Sequence, residues 1–241
     1  MASLSRTWAV TTSFLSSTAR LGHGWRVPRD VLQRPGPQPE KLLVLYEFEA
    51  CPFCRRAREA FTALDLDVLV KPCPKGGQRF RPEAIARGGK AQFPFLVDDN
   101  AGLSLYESAD IVTHLYARYA AVAPSWQLTG PQMMPLSTLA TGFRSGRGLR
   151  ARPSRAPALP LELWSYDVSP YCRLVREVLT ELELQHVCHN ISRGSPKRPA
   201  FKARAGKEQF PYLSDPNTGT AMFESDAIID YLERTYAISP R

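Results

Sequence analysis

The sequence predicts an α/β chain in which one β-α-β-α-β-β-α unit is written twice, and three observations predict it. Cys172–Leu184 matches Cys54–Leu66 at seven of 13 positions with an offset of 118. Ala205–Ile229 matches Gly88–Val112 at 12 of 25 positions with an offset of 117, so the intervening loop has lost one residue. Pro, Gly, Ser and Arg crowd the stretches outside these units and leave them little periodicity. An internal duplication of this length sets the domain count at two. The expected layout is 1–38 as a leader and disordered lead-in, 39–120 as the first domain, 121–159 as a linker and 160–239 as the second domain.

In the first unit the apolar run Leu42–Tyr46 reads as a strand, followed by a helix opening at Cys51. Cys54, Ala57, Phe61 and Leu64 fall at helical spacing, with Arg55, Arg58 and Glu59 off that stripe. A second strand is expected over Asp67–Val70, and Pro82 starts a short helix ended by Gly88-Gly89. Phe95–Val97 and Leu103–Tyr106 flank a turn ending in Gly102 and read as a hairpin. Ser108 is a candidate N-cap for a last helix that packs through Ile111, Val112, Leu115 and Tyr119. The second unit repeats this order from Leu161 to Ile238. The two are expected to pack together, because a unit of about 80 residues buries little apolar surface alone.

The formal charge is +8 and the pI 9.4. Residues 1–29 carry Arg6, Arg20, Arg26 and Arg29 and no acid; residues 121–160 carry five arginines and no acid. The basicity belongs to leader and linker, which argues against a nucleic-acid-binding face. No run of about 18 apolar residues suggests a membrane span. Five scattered cysteines do not make a secreted disulfide framework. Nine Ser/Thr with four Arg and no acid before Asp30 is the composition of a transit peptide, leaning to chloroplast (plastid) with mitochondrion as the alternative.

Cys51-Pro-Phe-Cys54 is the main candidate for chemistry. A cysteine at a helix start meets free N–H groups and the positive end of the dipole, which favour the thiolate. Arg55 and Arg56 are expected to help, and Cys54 one turn on is a candidate resolving thiol or a small core residue. No second Cys-x-x-Cys or Cys-x-x-His completes a zinc site, so no metal is expected. The second unit reads Ser169-Pro-Tyr-Cys172, and Ser169 cannot form a mixed disulfide. It is a hydrogen-bond donor or an ordinary N-cap. The loops 71–79 and 192–198 combine Gly, Pro and basic residues, and read as solvated loops or as phosphate or carboxylate sites. Cys73 and Cys188 read as bystanders, with Cys73 also able to pair with Cys51 or be capped as a mixed disulfide after Cys51 reacts. His114 has no acidic or cysteine neighbour in sequence and reads as structural.

The element order with Cys-x-x-Cys at the first helix resembles the thioredoxin fold as glutaredoxins use it. Gln92-Phe93-Pro94 and Tyr106-Glu107-Ser108 resemble the glutathione-site motifs of glutathione S-transferase N-terminal domains. The layout is similar to plant and algal plastid proteins with two such domains in tandem and no all-helical C-terminal domain. The resemblance implies a cis peptide before Pro94 and Pro211. It implies that Phe93, Pro94, Glu107 and Ser108, with Phe210, Pro211, Glu224 and Ser225, bind glutathione as co-substrate, with Cys51 as nucleophile. The expected function is a glutathione-dependent thiol–disulfide oxidoreductase acting on glutathione or protein thiols. The alternatives are a non-catalytic tandem binding module, a glutathione transferase or isomerase, and iron–sulfur ligation through Cys51 and glutathione.

Overall fold

The computed structural model describes residues 2–238. Both units have the expected order. The first contains β1 (Leu43–Glu47), α3 (Pro52–Ala63), β2 (Val68–Pro72), α4 (Phe80–Gly88), β3 (Phe95–Asp98), β4 (Leu103–Leu105) and α5 (Ser108–Tyr119). The second contains β5 (Leu161–Ser165), α8 (Pro170–Glu181), β6 (His186–Asn190), α9 (Arg198–Ala205), β7 (Tyr212–Asp215), β8 (Thr220–Phe223) and α10 (Ser225–Tyr236). Within each, a β-α-β crossover pairs two parallel strands and an antiparallel hairpin completes the sheet. Period-two alternation gives the sheet two apolar faces. Leu43 and Leu45 enter the core under α3 and α5, while Val44 and Tyr46 join the smaller cluster under α4.

The units do not merely touch. β2 pairs antiparallel with β6, Leu69 opposite Val187, so the order β4-β3-β1-β2-β6-β5-β7-β8 makes one eight-stranded sheet. That pairing removes an open edge from each unit. Cys188 of the second unit packs into the first unit's main core.

Residues 1–38 and 121–159 differ from the expected leader and linker. Ala2–Thr18 is a helix, α1, and Arg29–Gln33 a short one, α2. Trp126–Thr129 and Met133–Gly142 form α6 and α7. Helix α1 lies on α8 and α7 lies on α3. The Ser13 hydroxyl donates to the Pro170 carbonyl (2.8 Å) and the Ser137 hydroxyl to the Pro52 carbonyl (2.8 Å). Each helix leads into the same loop, Arg20-Leu-Gly-His-Gly-Trp-Arg26 and Arg144-Ser-Gly-Arg-Gly-Leu-Arg150, at an offset of 124. Leu21 and Ser145 both have positive φ, as do the glycines of both loops. At Gly148 a side chain is doubly excluded, since φ is +72° and a Cβ would meet Glu49 at 2.8 Å. The two loops dock alike. Val27 N–H donates to Arg193 C=O (2.9 Å) and Ala151 N–H to Lys75 C=O (3.0 Å). The duplicated unit therefore begins before its first strand and takes in both flanking segments.

Helices α3 and α8 are consequently covered on most sides, with Phe53 and Tyr171 in their first turns left exposed. Arg55, Arg58 and Glu59, which lie off the apolar stripe, are 1, 7 and 0 % exposed. Glu59 receives two hydrogen bonds from Arg20 (2.8 and 2.5 Å), and Glu177 two from Arg144 (2.6 and 2.8 Å).

Candidate functional site

Strand β1 ends at Glu47, and the chain turns so that Cys51 becomes the N-cap of α3. Pro52 follows at the first helical position, where a missing N–H costs nothing. The Cys51 Sγ accepts the Cys54 backbone N–H at 3.2 Å. The Cys51 thiol is held below its ordinary range, first by the hydrogen bond from the Cys54 thiol, then by the Cys54 amide and the charge of Arg58; burial and Glu47 oppose. Burial and the proximity of Cys51 push Cys54 well up. The pair is thus asymmetric, with Cys51 the more acidic thiol and Cys54 the less acidic one.

Arg58 is the basic partner, not Arg55 or Arg56. The helix turns Arg55 toward Asp167 (3.9 Å) and Ser16 (3.4 Å), and Arg56 donates to the Leu128 carbonyl (2.7 Å). Only Arg58, one turn beyond Cys54, projects back under the motif to Glu47 and Glu49.

The Phe93–Pro94 peptide is cis, as is Phe210–Pro211. The Phe93 carbonyl lies 3.9 Å from Cys51 Sγ. The Phe93 ring is held edge-on by Phe48 (6.3 Å between centroids) and covered by the Arg81 guanidinium (4.8 Å). The Gln92 side-chain amide donates to the Glu107 carboxylate, tying the Phe-Pro turn to the start of α5. Glu107, not Ser108, is the residue before the helix. It sits at φ 61°, and Ser108 is the first helical residue, buried. Cys51, Phe93, Pro94 and Glu107-Ser108 therefore form one contiguous arrangement.

The second unit builds the same frame. Ser169 caps α8, its Oγ accepting the Cys172 N–H at 3.3 Å. Phe210 lies edge-on to Tyr166 (6.4 Å) and under Arg198 (5.0 Å). Gln209 donates to Glu224, whose φ is 70°, and Ser225 opens α10. Cys172 is fully buried with its thiol pushed up by burial, a core residue beside a hydroxyl cap.

Several members of this frame were missed in the sequence: the aromatics Phe48 and Tyr166, Arg81, and the role of the Gln92 and Gln209 amides, of which only Gln92 was named, as part of the Phe-Pro motif. Lys90 and Lys207, stacked over Tyr106 (4.6 Å) and Phe223 (4.4 Å), were missed too. Their signal was present, since each pair recurs at the repeat offset of 117 or 118. Other candidates fall away. Cys73 is fully buried with its thiol pushed far up by burial, and Cys188 is pushed up to about 11 by burial. His114 does have an acidic partner: its Nε2 lies 2.8 Å from Asp98 Oδ2, which also accepts the Tyr119 hydroxyl (2.7 Å). That cluster anchors α5 to the hairpin and so remains structural. The loop 71–79 does hold a carboxylate, but an internal one. Gln78 and Arg79 N–H groups donate to Glu183 at 3.1 and 3.0 Å. Among the described residues no group of three His, Cys, Asp or Glu is placed to hold a metal. None of their helices is long and apolar enough to cross a membrane.

A family model described as glutathione S-transferase, N-terminal domain, matches twice, over residues 45–124 and 163–240. The chain belongs to this family. The glutathione S-transferase N-terminal domain is present in tandem, and both copies have the thioredoxin-like fold. Membership ties the chain to glutathione-related function. Among solved structures, a Bombyx mori glutathione transferase, BmGSTD1, is 25% identical over 36% of this chain, with a TM-score of 0.32. The chain spans 39% of that protein's length. Leishmania TDR1, a trimeric glutathione transferase, is 13% identical over 83% of this chain and 68% of its own, with a TM-score of 0.30. No curated protein matches.

Proposed function

We propose that the chain is a glutathione-dependent thiol–disulfide oxidoreductase working through Cys51 in the first domain. The observation that carries this reading is the Cys51 sulfur at a helix N-cap, accepting the Cys54 amide and lying beside the Phe93 carbonyl of the cis-Pro turn. In that reading glutathione lies along the Phe93-Pro94 backbone like an added strand, with its γ-glutamyl carboxylate at the Glu107-Ser108 end of α5. The Cys51 thiolate attacks the glutathionyl sulfur of a protein–glutathione disulfide. A Cys51–glutathione disulfide forms and the protein leaves as its thiolate. A second glutathione thiolate then attacks that disulfide, forming oxidised glutathione and returning the Cys51 thiolate. The raised Cys54 makes it a poor attacking group, which supports this one-cysteine route over an internal Cys51–Cys54 disulfide.

The second domain, with Ser169 at the equivalent position, has no thiol for this step. Its repeated frame of Phe210, Pro211, Glu224 and Ser225 supports glutathione binding without exchange. The composition of residues 1–29 supports delivery to an organelle, plastid before mitochondrion. Because Thr12, Ser13, Arg20 and Val27 are buried in the fold, that delivery would have to leave residues 12–27 in place. Exchange between glutathione and a mixed disulfide tests the main reading. Cys51→Ser is expected to lose it and Cys54→Ala to keep most of it; full activity in Cys51→Ser would overturn the proposal.

A further inference from the structure

Between the two domains, Arg55 and Arg58 of α3 and Arg173 and Arg176 of α8 converge with three carboxylates, Glu47, Glu49 and Asp167. All seven side chains are at most 7 % exposed. Arg58 and Arg176 take the carboxylates by direct hydrogen bonds. Arg58 Nε reaches Asp167 at 2.9 Å, and Arg176 reaches Glu49 at 3.0 and 3.2 Å. Arg55 and Arg173 meet carboxylate oxygens only at 3.9 and 3.8 Å. Their hydrogen bonds go to serines of α1, Ser16 for Arg55 and Ser13 and Ser17 for Arg173. Arg55 Nε and Nη1 and Arg173 Nε and Nη2 are buried with no acceptor. The nearby carboxylates Glu59 and Glu177 are no relief, since Arg20 and Arg144 already neutralise them.

The repeat explains the imbalance. Arg55 corresponds to Arg173, Arg58 to Arg176 and Glu49 to Asp167, all at the 118 offset, but Glu47 corresponds to Ser165. One carboxylate of a symmetric set of eight charges is missing, and a buried cation is left without its counter-charge. Burial and the like charge of Arg55 accordingly depress the Arg173 guanidinium to about 9. An unpaired buried cation is among the costliest arrangements in a protein interior.

We propose that this interface binds one small monovalent anion of the chloride class, held between the free N–H groups of Arg55 and Arg173. A small monovalent ion suits the site, because the four free nitrogens belong to two guanidinium edges in a serine-lined interior that lacks one negative charge. A phosphate or sulfate dianion would overshoot the single missing negative charge. The anion supplies the one negative charge that the set of four arginines and three carboxylates lacks, and so fastens α1 and the two domains together. This rests on the charge geometry alone and stands whether or not Cys51 exchanges disulfides.

The test is thermal unfolding of the full chain in sodium chloride against sodium isethionate at equal ionic strength, with a crystal grown in sodium bromide. The expected result is an unfolding midpoint that rises saturably with chloride and not with isethionate, and an anomalous bromide peak between Arg55 and Arg173. Arg55→Met, which leaves three arginines to three carboxylates, is expected to lose the chloride dependence, as is Ser165→Glu, which restores the eighth charge. Equal unfolding in the two salts, or ordered water with no bromide at that position, overturns the proposal. Both readouts use the native chain, so they decide the matter even where a variant fails to fold.

Discussion

At Cys51 the fold sets reactivity through a neighbour that sequence spacing did not identify. Arg55 and Arg56 are closest in sequence, yet the helix carries them to Asp167 and to the Leu128 carbonyl, leaving Arg58 to act on the sulfur. Arg58→Met is therefore expected to raise the Cys51 pKa and to slow its alkylation at neutral pH several-fold, read from the pH profile of iodoacetamide labelling. Arg56→Met is expected to leave the profile unchanged. Asp65 offers a second residue-scale test. Burial holds its carboxyl up at about 6 despite Lys197 and the Ser195 hydroxyl. An unfolded aspartate titrates near about 3.9, so between these values the folded state binds the extra proton and this group's contribution to stability grows as pH falls. Asp65→Asn is expected to be more stable than the native chain at pH 7, with the advantage shrinking toward pH 4 in urea unfolding. What was legible at this scale is the Cys-x-x-Cys, both Phe-Pro turns and both Glu-Ser pairs. Arg81, Phe48 and Tyr166 were harder to see, because each acts through a ring face that no short motif encodes.

Helices α3 and α8 show where amphipathic reasoning stops. A stripe of Cys54, Ala57, Phe61 and Leu64 implies a wet opposite face, and that inference fails when another helix brings matching charges. Here α1 and α7, with the Arg-x-Gly-x-Gly-x-Arg loops that follow them, supply that cover. Six of the 14 residues in 13–26 are identical to 137–150, too few to stand out against a Ser/Thr-rich composition that resembles a leader. The ion pairs Arg20–Glu59 and Arg144–Glu177 are equivalent and buried, so removing either arginine takes away a carboxylate's two-point partner, leaving only His23 (3.1 Å) on Glu59. Arg20→Met and Arg144→Met are each expected to lose about 3–5 kcal/mol in denaturant unfolding, and by similar amounts. Near-neutral results would show that these segments only lie on the surface of the fold. Deleting residues 1–27 is expected to destabilise at least as much as Arg20→Met.

The whole molecule is held by one sheet rather than by two domains in loose contact. The pairing of Val68–Val70 with His186–Cys188 could not be read from the sequence, because both strands look like ordinary parallel partners within their own units. What forced it is the edge that each unit would otherwise leave open. A single cooperative unfolding transition in calorimetry is expected. Val187→Pro, which removes a backbone donor from a central strand, is expected to cost about 3 kcal/mol or more. Two separate native transitions would contradict the continuous sheet. The same joint carries the Cys51 and Ser169 frames on one continuous sheet, one with a thiol at its helix N-cap and one with a hydroxyl.

The reactivity assigned to Cys51 is checked most directly by its rate of alkylation across pH, followed by mass spectrometry with and without glutathione. The expected result is a titration below that of an ordinary cysteine, protection of Cys51 by glutathione, and no labelling of Cys54 over the same range. A Cys51 that titrates like a free cysteine and reacts at the same rate with glutathione present would contradict it.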